Sequence, residues 1–238
     1  MTRWVAFAAL TVVVLTVVLF SARASTRVVA DLTDESSAPS GEHFSSTALL
    51  ANVAGSHALF AAVLIAGIWL TDVPVSSLGI DGEISGLTAA VVGLTVGLAL
   101  AGMNLALGAV IDADPSAALR GLLAPDSAGG WFVLVAVVLP IIAGFEELLF
   151  RAVLIGAFST GFDLSPWLLA VVSSVAFAAG HGAQGRVGVA ATGVFGFLLA
   201  AVFVVTGSLL ASVVAHYAVN AIEFVVVEGL GYDPFGAE

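Results

Sequence analysis

The apolar residues of this chain run on for a whole helix at a time instead of alternating or recurring every three to four positions. Trp4 to Phe20 is uncharged and about long enough to cross a bilayer, with Arg3 before it and Arg23 and Arg27 after it. Further runs cover Thr47 to Leu70, Leu87 to Val110, Trp131 onward through Glu146, Leu164 to Gly180, Val187 to Val205, and Ser208 to Val227. Between them lie polar stretches: Val28 to Phe44 with Ser, Pro, Gly and acidic residues, Asp72 to Ser85 with Pro74, Gly79 and Gly82, and Asp112 to Gly130, in which Ala117 to Leu123 reads as a short interfacial helix. Trp4, Trp69, Trp131 and Trp167 fall at the ends of runs, where an amphipathic indole favours the membrane interface. The pattern predicts an all-α fold, a polytopic transmembrane helix bundle of about seven spans. Ala22-Arg23-Ala24 also fits the small-residue pattern of a signal-peptide cleavage site. The positive charge lies more after the run than before it, which favours a retained first span.

Composition supports the membrane reading. Of 238 residues 60% are hydrophobic and 10% charged, against roughly 25% charged in a soluble domain. No polar region is long enough for a second globular unit. The chain divides into N-terminal transmembrane helices and acidic loops (1–130), a candidate catalytic core (131–228) and a short tail (229–238). The absence of cysteine removes disulfides, thiolate zinc sites and cysteine nucleophiles together.

Charge adds habitat and orientation. The net charge is −11, and all six basic side chains are arginines. Most carboxylates sit in the polar stretches, which argues against nucleic acid as a partner and leaves membrane lipid as the surrounding medium. Hydrated carboxylates keep a surface soluble at molar salt, where the Debye length falls to about 3 Å, so the balance suits a halophilic source. If the loop after the first span is cytoplasmic, Arg23, Arg27, Arg120 and Arg186 share that side and only Arg3 opposes them. The positive-inside rule prefers that arrangement and puts the C-terminus in the cytoplasm of a cell whose plasma membrane holds the protein.

Three polar groups stand inside this apolar background. Glu146, Glu147 and Arg151 follow an uncharged run from Trp131 to Ala143, where each ionisable group costs about 2.5 to 3.5 kcal/mol by insertion scales and is a functional hypothesis by default. Successive helical residues diverge by about 100°, so the two glutamates cannot share a direction. Glu147 and Arg151, at i and i+4, are spaced for a salt bridge, which leaves Glu146 available as a general base or acid. His216 and Asn220, again i and i+4, share a face of the last span and could donate to an oxyanion. Glu223 continues that stripe and is expected to reach toward the interface. His181 lies between Gly180 and Gly182, one turn after Phe177, at the end of the fifth span. Asn52, His57 and Asn104 read as hydrogen bonds between helices, and Gly93, Gly97 and Gly102 as sites of close helix approach. Together the groups predict a buried polar chamber.

Glu146-Glu147-x-x-x-Arg151, Phe177-x-x-x-His181 and His216-x-x-x-Asn220, in that order, resemble the three-part signature of the CAAX protease and bacteriocin-processing family (CPBP, also called Abi), which includes the CAAX prenyl endopeptidases. The resemblance runs from about Trp131 to Val227. It implies an intramembrane endopeptidase acting on a peptide or prenylated-protein substrate, in which Glu146 and His181 activate water. His216 and Asn220 stabilise the oxyanion, while Glu147, Arg151 and Phe177 support the site. The family is often described as metallopeptidase, and Glu146, His181 and His216 could form a zinc set with an open position. The same residues serve a metal-free glutamate mechanism equally well, so the resemblance leaves both a zinc cofactor and none open. Two rival readings use the same residues: a non-catalytic immunity or scaffold protein of this fold, and a proton-coupled transporter.

Overall fold

The structure is a computed structural model that describes residues 2–33, 45–82, 84, 86–111 and 116–232. The acidic residues Asp34, Glu35, Glu42, Glu83, Asp112, Asp114, Asp233 and Glu238 lie outside them. The described residues are helical, joined by turns and short 3-10 segments. The long elements are α1 (Trp4–Thr33), α2 (Ser46–Leu70), α3 (Gly86–Ile111), the short α4 (Ala117–Leu123), α5 (Ala128–Phe162), α6 (Pro166–Ala179), α7 (Gly185–Thr206) and α8 (Leu209–Gly229). Six helices are long and apolar enough to cross a membrane, and α6 is a shorter apolar helix, consistent with the expected seven or so spans.

Outward faces carry Val5, Val12 and Phe20 on α1, Leu59 and Ile65 on α2, and Val171 and Val175 on α6, all exposed. In lipid such apolar faces are matched to their surroundings, so packing between helices rests on fit and polar bonds rather than on hiding oil from water. Close fit is clearest between α3 and α8. A Cβ on Gly93 would stand 2.5 Å from the Ala211 carbonyl oxygen, and one on Gly97 would stand 2.7 Å from that of Ala215. Gly102, expected to act in the same way, faces open space. Gly97 thus seats the backbone of α8 one residue before His216, and Gly93 seats it one turn earlier.

At the centre lies α5, against α2, α6 and α8. Its 35 residues exceed the ~30 Å of bilayer hydrocarbon, since at 1.5 Å per residue they reach about 52 Å. The helix is not uniform: Leu134–Val138 and Leu148–Ala157 are π-helical, with wider turns. Such turns cluster at functional sites, and the second begins directly after Glu147. Ser173 on α6 ties this stretch down by donating to the Phe150 carbonyl at 2.5 Å.

The fifth span is shorter than its apolar run suggests. Ser165 caps α6 through its side chain, Pro166 occupies the first turn, and the helix ends at Ala179. Fourteen residues rise about 21 Å, so one end stops inside the hydrocarbon. The chain then makes a 3-10 turn over Gly182–Gln184 and enters α7 through Gly185, whose φ of 68° and ψ of −175° suit only glycine. The reversal therefore depends on Gly185 and not on Gly180 or Gly182, which keep negative φ.

Candidate active site

Glu146 sits near the middle of α5, and its carboxylate faces three imidazoles. Oε1 lies 3.8 Å from His57 Nε2 and 4.0 Å from His181 Nε2, and Oε2 lies 3.5 Å from His216 Nε2. The early end of α6 explains how His181, apparently at a membrane surface, reaches a residue at mid-span. The helix stops at the depth where Glu146 stands.

Each imidazole has its other nitrogen committed. His181 Nδ1 is 2.8 Å from the Phe177 carbonyl oxygen and His57 Nδ1 is 2.8 Å from that of Val53. A carbonyl only accepts, so both Nδ1 atoms carry hydrogen and donate. His216 Nδ1 lies 2.8 Å from Glu147 Oε1 and donates to that carboxylate. The neutral form of each ring therefore presents a lone pair at Nε2, and a hydrogen there requires the imidazolium. For His216 the Glu147 carboxylate fixes the ring's orientation, as a buried acid does for a histidine.

Behind this face lies a dry brace. Glu147 and Arg151 are both 0% exposed, with Nη1 2.9 Å from Oε1. Arg151 Nη2 donates to the Gly196 carbonyl of α7 at 2.9 Å, and the guanidinium lies over the Phe177 ring at 4.8 Å. Phe177 also meets His181 at 4.5 Å, His216 at 5.9 Å and Phe150 at 5.1 Å between ring centroids. One aromatic ring thus sets the spacing of the brace and two of the histidines.

Asn220, one turn beyond His216, makes no side-chain hydrogen bond among the described residues and lines two cavities. The larger, about 550 Å³, is bounded by α1, α2, α4, α5 and α8, with Glu146, His57, His181 and His216 on its wall. The smaller, about 130 Å³, opens between α3, α7 and α8 and is lined by Leu107, Val187, Ala191, Phe195 and Val219. Phe177, His181, His216 and Asn220 form the wall between the two. The expected chamber is present, and all seven candidate residues meet at it or directly behind it.

Some polar residues have other surroundings than expected. Glu223 turns inward, accepting a hydrogen bond from Asn104 of α3 and lining both cavities. Arg120, counted in the sequence only as a topological charge, is buried beside Glu228 at 3.3 Å and lines the larger cavity. Thr192 donates to Gln184 Oε1 at 2.6 Å at the edge of the smaller one. His57 bonds within its own helix through Nδ1 and, as expected of it, also faces a neighbouring helix, where its Nε2 turns toward Glu146. Its position one turn after Val53 carried no sign of which partner it meets.

The zinc set does not fit. Four-coordinate zinc holds its donors about 2.0 to 2.2 Å from one point, which keeps them under roughly 3.6 Å apart. Glu146 to His181 is 4.0 Å, His216 approaches the opposite carboxylate oxygen, and no three His, Cys, Asp or Glu groups among the described residues are arranged to hold a metal ion.

Compared with known proteins, residues 128–222 match a family model described as "Type II CAAX prenyl endopeptidase Rce1-like". No curated protein and no solved structure matches the chain.

Proposed function

We propose that this protein, whose residues 128–222 match the type II CAAX prenyl endopeptidase Rce1-like model, is a member of that family and hydrolyses a peptide bond inside the membrane by a metal-free glutamate mechanism. The observation that carries the reading is the gathering of Glu146, His181, His216 and Asn220 on the wall of one cavity, from two helices and the turn after α6.

Water binds between Glu146 Oε1 and His181 Nε2. Both accept, so its two hydrogens point at them and its lone pair is free to attack. The 4.0 Å gap is too long for a direct hydrogen bond and wide enough for one bridging molecule. Attack on the substrate carbonyl carbon passes a proton to Glu146 and charge to the carbonyl oxygen. Asn220, through its amide N–H, and His216, through Nε2 when its ring carries both hydrogens, hold that oxyanion. Such donors act strongly where water is scarce. Collapse of the adduct breaks the C–N bond, and Glu146 returns the proton to the departing amine.

Substrate enters from lipid into the larger cavity as a peptide or prenylated protein C-terminus, in keeping with the family's printed description. The C-terminus of the enzyme lies in the cytoplasm, as arginine placement suggests. The test is cleavage, by the full-length protein in proteoliposomes, of a fluorogenic peptide ending in S-farnesylcysteine and three further residues. Wild type is expected to cleave it, and Glu146→Gln to lose about 10²- to 10⁴-fold while remaining folded in detergent. Equal rates for the two proteins remove Glu146 from the chemistry and return the site to a packing role.

A further inference from the structure

The three motifs and the matched segment account for two of the imidazoles around Glu146. The third comes from α2, more than seventy residues before the match begins. We propose that His57 is an active-site positioning residue, fixing the Glu146 carboxylate from the N-terminal half of the protein.

Three observations support the assignment. His57 is immobilised: its Nδ1–H donates to Val53 one turn earlier, and its ring stands edge-on to Phe145 at 5.2 Å and 89°. Phe145 is itself buried and packs against Phe60 of α2 at 5.8 Å, so the α2–α5 contact that holds the ring is built of the residue next to Glu146. The only ring nitrogen left, Nε2, faces Oε1, the carboxylate oxygen that His181 also faces. With hydrogen at Nε2 the His57 ring donates toward Oε1, so a rotation of the Glu146 side chain out of the cavity must break that approach as well as the one between Oε2 and His216. Rigid support of this kind keeps a catalytic group within the narrow range of productive geometry.

The role of His57 rests on the reading of Glu146 as general base, and its placement does not. In the liposome assay with the farnesylated peptide, His57→Ala is expected to lower kcat about 10- to 100-fold, the usual range for a supporting partner, with KM little changed. His57→Phe keeps the ring packing on Phe145 and is expected to lose as much. His57→Gln, whose amide N–H can reach a carboxylate, is expected to recover a large part. Wild-type kcat in His57→Ala overturns the proposal, and so does equal recovery by Phe and Gln.

The placement is also read without substrate. In detergent, the Tm shifts of His57→Ala and Glu146→Gln are expected to be non-additive in the double variant, because the two residues share one interaction. Additive shifts overturn it. A Glu146→Gln enzyme that still cleaves at the wild-type rate sinks the hydrolase reading alone, and the unfolding cycle then still decides whether His57 and Glu146 are coupled.

Discussion

Adjacent positions on α5 carry glutamates into unlike surroundings. Glu147 points into a sealed contact where Arg151 and His216 both approach Oε1, and no part of it meets solvent. Glu146 points into a cavity, where every partner stands at 3.5 to 4.0 Å, beyond hydrogen-bond length. The first setting fixes helices and the second leaves room for a reacting molecule. His216 joins them, with one nitrogen on each carboxylate. A membrane protein can thus place one charge for structure and the next for chemistry, provided the helical step turns them apart.

Substitutions that separate the two settings test the comparison. The largest effect belongs to Glu146→Gln, whose loss of turnover corresponds to roughly 3 to 5.5 kcal/mol of barrier and leaves the fold intact. Arg151→Met reverses the pattern. It leaves the buried Glu147 with His216 as its remaining partner, and unfolding in detergent should show about 3 to 5 kcal/mol of lost stability, with activity following the folded fraction. Asn220→Ala is intermediate in size and purely kinetic. Loss of one oxyanion donor should cost about 2.7 to 4 kcal/mol in kcat, seen as a 10²- to 10³-fold drop with no change in Tm. A tight metal chelator sits at the bottom of the scale, since donors spaced as these are do not hold zinc. Incubation followed by the peptide assay should leave the rate unchanged. An Arg151→Met protein as stable as wild type would erase the distinction between brace and chamber, and chelator inactivation would redraw the chamber side of it.

Much of this was legible in the sequence because its signals are local. Span lengths follow from uncharged runs, and the tryptophans mark their ends. The Glu147–Arg151 pair follows from helical spacing, as does the shared face of His216 and Asn220. What escaped depends on geometry between distant segments. His57 carries no neighbouring motif, and a lone histidine in an apolar span reads as a helix bond until α2 is docked against α5. Gly93 and Gly97 meet α8 while Gly102 meets nothing, and the three are indistinguishable along the chain. The π-helical turns after Glu147 leave no compositional trace, because they arise from how α5 is held by its neighbours. Helix α6 was overestimated by apolar content alone, which does not register the cap at Ser165 or the stop at Ala179.

That short helix has a consequence for the lipid around it. A rod some 9 Å shorter than the hydrocarbon it crosses cannot be matched by tilting, which only reduces its reach along the bilayer normal, so the adjoining leaflet must sag toward it or admit headgroups and solvent. His181 follows the C-terminal end of this helix. A dimple at that end shortens the path by which water descends to the cavity that Glu146 lines.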